Sequence, residues 1–358
     1  MKIIIRYLIF TLILSCQKNS IDNSDIINNS SDHISAVDIS LYPTILENDI
    51  IFFNEEGYQI DFINSLINNG INTIRLRLWV NPKDESASLN QVKEFSALLK
   101  SFGFKIWITP HFSDTWAHPG QQEIPESWES LNFSDLKTQV YLYTNMIMNE
   151  ISPDYIQIGN EINTGFLFPY GNIENNSDQF IELLNQGINA VRENSSRTKI
   201  ILHYAGFESS QWFFNLVNNV DYDIIGVSFY PIWHGKSLEE LQNQLNNLSN
   251  SYDKEILIAE TAYPFTLGWN DWTNNIVGLE KQLILPDYPA SPEGQQNFIR
   301  DLKNLIFQVD NGIGFCYWGA ELIAWDGGSS ENGSVWENQA IFDFNNTELP
   351  VLKEFNLN

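Results

Sequence analysis

Two glutamates are the residues of this sequence best suited to chemistry, because each ends a stretch that is otherwise typical of a buried strand. Glu161 follows Asn160 at the end of DYIQIGNE (154–161), and Glu260 ends EILIAE (255–260). A charge at the end of a core strand is costly unless something uses it. Two carboxyl groups that flank one bond can hydrolyse a glycoside, one as proton donor and the other, ionised, as nucleophile or as base on water. A separation of about 5–5.5 Å predicts retention of configuration through a covalent intermediate.

Two arginines, Arg75 and Arg77, lie close together in another predicted strand and supply positive charge for such a pair. A neighbouring cation keeps one carboxyl group ionised. Partial burial and the negative neighbour raise the pKa of the other, as a general acid requires. For each glutamate alone, a structural ion pair with an arginine is the alternative; both glutamates at strand ends favour catalysis.

Eight apolar stretches are predicted to be strands, and helical patterns separate most of them. They are residues 35–40, 73–79, 105–111, 155–161, 199–204, 224–230, 255–260 and 313–318. Strands that alternate with helices indicate a parallel sheet. Eight of them favour a closed (β/α)8 TIM barrel, an α/β fold in a single catalytic domain. The rival, an open doubly wound sheet, lacks the G-x-G-x-x-G that binds dinucleotides after the first strand.

Glycine and serine mark several predicted helix boundaries. Gly70, Gly103 and Gly312 each separate a helical pattern from a strand, and we expect them to take the left-handed conformation that ends a helix. Ser237 and Ser291 are predicted N-caps, the first within a capping box and the second before a proline.

Polar and aromatic residues recur at the predicted strand ends, where a TIM barrel carries its catalytic groups. They are Arg75, Arg77 and Trp79; His111, Asp114 and Trp116; Asn160 and Glu161; His203 and Tyr204; Tyr230, Trp233 and His234; Glu260; and Tyr317 and Trp318. The 11 tryptophans of the chain include several at these ends, where flat rings can stack on sugars, although a single tryptophan also serves a core.

Other chemistries find less support. The five histidines lack a close ligand spacing such as H-E-x-x-H, and a metal site at Asp114 and His118 is a weak alternative. Neither G-x-S-x-G nor a phosphate-binding loop occurs. The net charge of −26 makes nucleic acid and anionic membrane surfaces poor partners, whereas a neutral substrate is compatible with it.

The N-terminus is predicted to be a lipoprotein signal peptide over residues 1–15. Two basic residues precede a short apolar run that ends in ILSC, so Cys16 is the predicted lipidated residue; an ordinary signal peptide is the alternative. The polar residues 16–34 are predicted to be a flexible tether, and residues 35–358 the barrel domain. We therefore expect an exported protein that contacts the membrane through its lipid alone, at the outer membrane or cell surface, and that is monomeric. Cys316 is predicted to be a core residue.

The sequence resembles the endo-β-1,4-galactanases of glycoside hydrolase family 53, which cleave arabinogalactan. The motifs lie at residues 70–82, 111–128, 157–171, 223–235, 259–265 and 336–352, and SFYPIWHG and ETAYP are the most specific. The resemblance implies endo-cleavage of β-1,4-galactan side chains of pectin with retention. Phe112 and His118 depart from the Tyr and Asp that the family pattern leads us to expect.

The resemblance also implies roles for individual residues. Glu161 is the implied general acid/base, Glu260 the nucleophile, and Asn160 the partner of the sugar 2-hydroxyl. The other implied substrate-binding residues are Arg75, His111, Asp114, Trp116, His203, Tyr230, His234 and Trp318. The chemistry requires no cofactor. Asn270, Asp271 and Asp326 are candidate ligands of a structural calcium ion, with solvated polar loops as the alternative.

Two further functions stay open at this point. The same barrel and mechanism can act on another β-1,4-glycan such as a mannan or glucan. A lipoprotein that binds surface glycans without cleaving them is the non-enzymatic alternative, although retention of both glutamates speaks against it.

Overall fold

Eight parallel strands form a closed barrel in the computed structural model, which describes residues 33–83 and 85–357. The barrel strands are β1 (Ile34–Asp38), β2 (Thr73–Leu78), β3 (Lys105–Pro110), β4 (Tyr155–Gln157), β5 (Lys199–Ala205), β6 (Ile224–Ser228), β7 (Glu255–Thr261) and β8 (Gly312–Trp318). Each strand pairs with its neighbours in sequence, and β1 pairs with both β8 and β2 to close the sheet. The prediction of a (β/α)8 barrel is confirmed.

Helices follow the strands, and the longer ones cover the outside of the sheet. They are α1 (Tyr42–Leu46), α2 (Phe62–Asn68), α3 (Leu89–Ser101), α4 (Phe133–Ile151), α5 (Ile173–Asn194), α6 (Ser210–Leu216), α7 (Pro231–His234), α8 (Leu238–Ser251) and α9 (Pro292–Ile306). A short antiparallel ribbon pairs Phe52–Phe53 with Gln59–Ile60. No helix in the described ranges combines the length and the apolar character needed to span a bilayer.

The apolar residues form two buried clusters, as expected for a sheet that is covered on both faces. The larger cluster joins the helices to the strands. The smaller takes residues from every barrel strand except β2, among them Trp107 and Cys316. In β2, Arg75 is instead buried with its guanidinium carbon 5.4 Å from the Trp107 ring centroid. The Arg75 side chain therefore packs against the apolar barrel interior, and its guanidinium group is directed toward the carboxyl ends of the strands.

The predicted helix boundaries hold with one exception. Gly70 and Gly103 have φ of 87° and 94°, and the hydroxyls of Ser237 and Ser291 cap α8 and α9. The prediction that Gly312 takes the left-handed conformation is wrong. Asn311 takes it instead (φ 59°), and asparagine tolerates this conformation. A side chain on Gly312 would collide with backbone oxygens of the preceding turn, so the glycine serves a close approach instead.

All eight predicted strands differ from the structure at one end or both, five of them by a single residue, and those over 35–40 and 224–230 end two residues earlier, at Asp38 and Ser228. The strand expected over 155–161 ends at Gln157, because Gly159 and Glu161 have positive φ and leave the ladder. The barrel begins with Ile34, which is buried in β1, so the predicted tether ends before this residue. The signal peptide, Cys16 and the tether up to residue 32 lie outside the described residues.

Candidate active site

A cleft of about 640 Å³ opens at the carboxyl ends of the strands. Both glutamates line it. Of the predicted sugar-binding residues, those that also line it are Arg75, His111, Trp116, Asn160, Tyr230, His234 and Trp318. The cleft is therefore built by the strand ends that the sequence singled out.

Glu260 is held at the end of β7 by two donors. Arg75 donates to its Oε1 at 2.6 Å and the Tyr230 hydroxyl to its Oε2 at 3.0 Å. A second arm of the guanidinium binds Asp38 on β1 at 2.7 Å. Burial raises the pKa of Glu260, and the Arg75 charge opposes that shift. Direct contact with a cation stabilises the ionised form, so Glu260 is the carboxyl of the pair that ionises first.

Glu161 stands on a turn with unusual backbone geometry. Its φ of 48° lies in the left-handed region, which non-glycine residues rarely adopt. The Gln122 side chain holds this turn by donating to the carbonyls of Asn160 (2.8 Å) and Glu161 (3.2 Å). Backbone strain of this kind persists only where surrounding contacts enforce it, and it is frequent at functional sites.

The two carboxylates face each other across the cleft. An oxygen of Glu161 and an oxygen of Glu260 lie within 4.8 Å of one another. Glu161 Oε1 accepts a hydrogen bond of 2.6 Å from Ser228. Burial raises the pKa of Glu161, and the nearby negative charge of Glu260 raises it further. One carboxyl is therefore poised to hold a proton while its neighbour is ionised, the division of roles that glycoside hydrolysis requires.

Asn160 connects Arg75 to the turn that carries Glu161. Its Oδ1 accepts from Arg75 at 2.8 Å and from Gln157 at 2.9 Å, and its Nδ2 donates to the Ala117 carbonyl at 2.9 Å. An amide nitrogen carries two hydrogens. The second one is thus available to a sugar hydroxyl.

Two predicted substrate-binding residues lie outside the cleft lining. His203 is fully buried, because it points from β5 into the network beneath the strand ends and contacts Gln157 and Ser228. Asp114 accepts from the backbone N–H groups of Asn81 and Glu126, both at 2.9 Å. His203 therefore supports the site from beneath the cleft, and Asp114 connects two loops.

Aromatic residues form the walls of the cleft. The Arg77 guanidinium lies between two indoles, 4.3 Å from the Trp79 centroid and 4.1 Å from that of Trp116. Trp116 keeps 42% of its surface exposed. Trp318 contacts Trp116, with ring centroids 5.8 Å apart, and packs edge to face on Trp336, with centroids 4.9 Å apart. The exposed ring of Trp116, which is fixed by this packing, is a suitable stacking platform for a sugar ring.

His111 and His234 present neutral imidazoles to the cleft. Burial and the charges of Arg77 and Arg75 hold the pKa of His111 well below its usual value. Its Nδ1 accepts from the Ala117 N–H at 3.1 Å, so Nε2 carries the hydrogen. Burial lowers the pKa of His234 to about 4. Neutral donors of this type suit the hydroxyls of an uncharged glycan.

Sequence reasoning missed three residues that complete the site: Asp38, Ser228 and Trp336. Asp38 and Ser228 lie inside strands that read as apolar, and only the barrel register places them beside Arg75 and Glu260. Trp336 falls in a long loop with no periodic pattern. An isolated polar residue near the end of an apolar strand was the available signal for the first two.

The candidate calcium ligands do not fit a cation site. The buried Asp271 carboxylate accepts from the N–H groups of Thr273 (2.7 Å) and Ser334 (3.0 Å). Asn270 donates its amide to the Phe344 carbonyl, and Asp326 accepts from a serine hydroxyl. A calcium site needs six or more oxygens directed at one point, whereas the buried acid here is surrounded by N–H donors.

Glu161, His203 and Glu260 have the spacing of a metal site. Arg75 contacts Glu260 directly, however, and both ring nitrogens of His203 have protein partners. The cluster is therefore better explained as a carboxylate pair with its supporting network.

The sequence pattern of Glycosyl hydrolase family 53 matches residues 34–355. The chain belongs to this family. It is therefore a glycoside hydrolase, as its carboxylate pair predicted, and the non-enzymatic alternative is set aside. Chemistry in this family needs no cofactor.

Relatives within the family are similar over nearly the whole chain. The arabinogalactan endo-beta-1,4-galactanase of Cellvibrio japonicus is 31% identical, over 94% of this chain and 93% of the relative. The GH53 catalytic domain of Ignisphaera aggregans is 39% identical with a TM-score of 0.85, over 91% and 96% of the two chains. A structure from work on two fungal beta-1,4-galactanases is 29% identical with a TM-score of 0.77, over 90% and 98%.

Proposed function

We propose that this family 53 enzyme cleaves β-1,4-galactan at internal bonds and retains the anomeric configuration. One observation carries the proposal: two carboxylates within 4.8 Å of each other, one bound to a buried arginine and the other bound to a serine hydroxyl. A pair this close leaves no room for a water between the second carboxylate and the sugar, which favours the double-displacement reaction.

In the first step Glu260 is the nucleophile. A carboxylate oxygen of Glu260 attacks the anomeric carbon, the bond to the leaving sugar breaks, and the proton of Glu161 passes to the departing oxygen. Arg75 and Tyr230 keep Glu260 ionised before the attack. The products are a covalent glycosyl ester on Glu260 and a shortened glycan chain.

In the second step Glu161, now ionised, takes a proton from water. The resulting hydroxide attacks the anomeric carbon and releases Glu260, and the second inversion restores the original configuration. The second Nδ2 hydrogen of Asn160 binds the sugar 2-hydroxyl in this proposal, a contact that strengthens in the transition state.

The names of the relatives and the neutral, aromatic cleft support galactan as the substrate. The Cellvibrio japonicus and fungal relatives are both called β-1,4-galactanases. Incubation with linear β-1,4-galactan should release short galacto-oligosaccharides, while β-mannan and β-glucan should stay intact. The opposite pattern would move the proposal to another β-1,4-glycan.

The location rests on the N-terminal sequence. We propose that residues 1–15 are removed, that Cys16 is lipidated, and that the enzyme is anchored at the outer membrane or cell surface, where it cuts pectin side chains. Radiolabelled fatty acid should enter the wild-type protein and not the Cys16→Ser variant. We expect a monomer, which light scattering of the purified protein would test.

A further inference from the structure

A chain of buried hydrogen bonds runs beneath Glu161. His203 Nε2 lies 2.9 Å from the Ser228 Oγ, and that oxygen lies 2.6 Å from Glu161 Oε1. Both His203 and Ser228 are fully buried. Register explains the contact: Ser228 ends β6 opposite Ala205 on one side and Glu260 on the other.

The direction of the donors in this chain follows from the groups around His203 Nδ1. The Glu161 N–H points at this nitrogen at 3.4 Å, and a backbone N–H can only donate. The Gln157 Nε2, also a donor, lies 3.0 Å from it. Asn160 Oδ1 lies 3.2 Å from the same nitrogen, but Arg75 and Gln157 already donate to this oxygen. Burial and the Arg75 charge hold the pKa of His203 well below its usual value, so the ring is neutral. With Nδ1 as acceptor, the single ring hydrogen lies on Nε2 and is donated to Ser228. The only hydroxyl hydrogen of Ser228 is then directed to Glu161.

We propose that Ser228 is a positioning residue that, supported by His203, keeps Glu161 Oε1 as an acceptor and so places the carboxyl proton on Oε2. The inference rests on the proposed role of Glu161 as general acid. In a protonated carboxyl group the carbonyl oxygen is the better acceptor, so a fixed donor at Oε1 selects that oxygen as the carbonyl. The proton is thereby kept on the oxygen that is left for the scissile bond.

The hydrogen bond from Ser228 also affects the pKa of Glu161. A hydroxyl that donates to a carboxylate stabilises the ionised form, so the Ser228 contact lowers the pKa of Glu161 against the effects of burial and of Glu260. The charged and titratable groups that surround Glu161 are Glu260, Arg75, His203 and Tyr230. A substitution of Ser228 leaves all of them in the chain, and the expected change is therefore specific to the lost donor.

The test compares Ser228→Ala and Ser228→Cys with Ser35→Ala. Ser35 is a matched control, because it is also a fully buried barrel serine but donates to the Phe355 carbonyl. Cysteine nearly preserves the volume of serine and is a weaker donor, so it guards against loss of folding in the alanine variant. The pKa of Glu161 is read by carbon-13 NMR of labelled carboxyl groups without substrate, and kcat/KM is measured on galactan and on an aryl β-galactobioside with a good leaving group.

We expect the pKa of Glu161 to rise by about one unit in both Ser228 variants, the change caused by one hydrogen bond to a charged acceptor. The kcat/KM on galactan should fall about tenfold, with a smaller loss on the aryl substrate, which needs little acid assistance. Ser35→Ala should change neither. An unchanged Glu161 pKa in both variants, or equal losses on the two substrates, would overturn the proposal. Failure of the wild-type enzyme on galactan would count against the substrate alone, because the titration needs none.

Discussion

Arg75 donates to Glu260 at 2.6 Å although both side chains are almost fully buried. Asp38 binds the same guanidinium at 2.7 Å from the neighbouring strand. Placing charges in the barrel interior is costly unless each is paired. The folded structure therefore stabilises the ionised form of Glu260.

Asp38→Asn should destabilise the protein, because it leaves the buried Arg75 with one formal counter-charge. Removal of one partner of a buried ion pair costs about 3–5 kcal/mol, measured as the free energy of unfolding in urea. Asp221→Asn is the matched control: Asp221 forms an exposed pair with Arg192, and such pairs contribute about 0–1 kcal/mol. Equal losses in the two variants would show that Asp38 is not a structural counter-ion.

Tyr230→Phe should shift the acidic limb of the pH–kcat/KM profile upward. Activity requires Glu260 ionised, so it falls as the pH drops through the pKa of Glu260. The Tyr230 hydroxyl stabilises that ionised form and lowers this pKa, so its removal raises the pKa and the limb moves to higher pH. The alkaline limb, set by deprotonation of Glu161, should move much less. A profile that keeps its acidic limb would contradict the role of the Tyr230 contact.

Trp116→Ala should weaken substrate binding more than turnover. The ring is 42% exposed in the cleft wall and is fixed by Arg77. Loss of an aromatic platform worth about 1–1.5 kcal/mol raises KM for galactan about tenfold. Trp212→Ala is the control, since Trp212 is 56% exposed on α6 and does not line the cleft. A fall in kcat at unchanged KM would argue against stacking.

Chelation with EDTA should leave the thermal unfolding temperature unchanged, because N–H donors already surround Asp271. Asp271→Ala should lower that temperature, since it leaves the buried N–H groups of Thr273 and Ser334 without partners, a cost of about 1–3 kcal/mol each. A drop with EDTA that added calcium reverses would show that a cation holds these loops after all.

The fold was predictable because its signals are local. Apolar strands, helical patterns and glycine or serine boundaries repeat along the chain, and eight repeats permit few architectures. Glu161 and Glu260 were found for the same reason, since a carboxylate at a strand end conflicts with burial. The shortened β4 was not predictable, because the positive φ of Glu161 is imposed by Gln122 from another loop.

The residues that support the two glutamates were harder to predict from the sequence. Ser228 and Asp38 acquire meaning only when the strands are in register, which the sequence pattern does not specify. His203 is predicted to line the cleft because it lies near a strand end, yet its side chain points inward and contacts Ser228. Side-chain direction at a strand end changes with a shift of one residue, so burial and exposure there need coordinates.

Glu260 and Glu161 are proposed to hydrolyse β-1,4-galactan with retention of the anomeric configuration. The most direct test is proton NMR of the first products from linear β-1,4-galactan, with the Glu260→Gln variant alongside. We predict that the β-anomer of the new reducing end appears first with the wild-type enzyme, and that the variant releases no product. Initial release of the α-anomer, or turnover by Glu260→Gln at the wild-type rate, would rule out this mechanism.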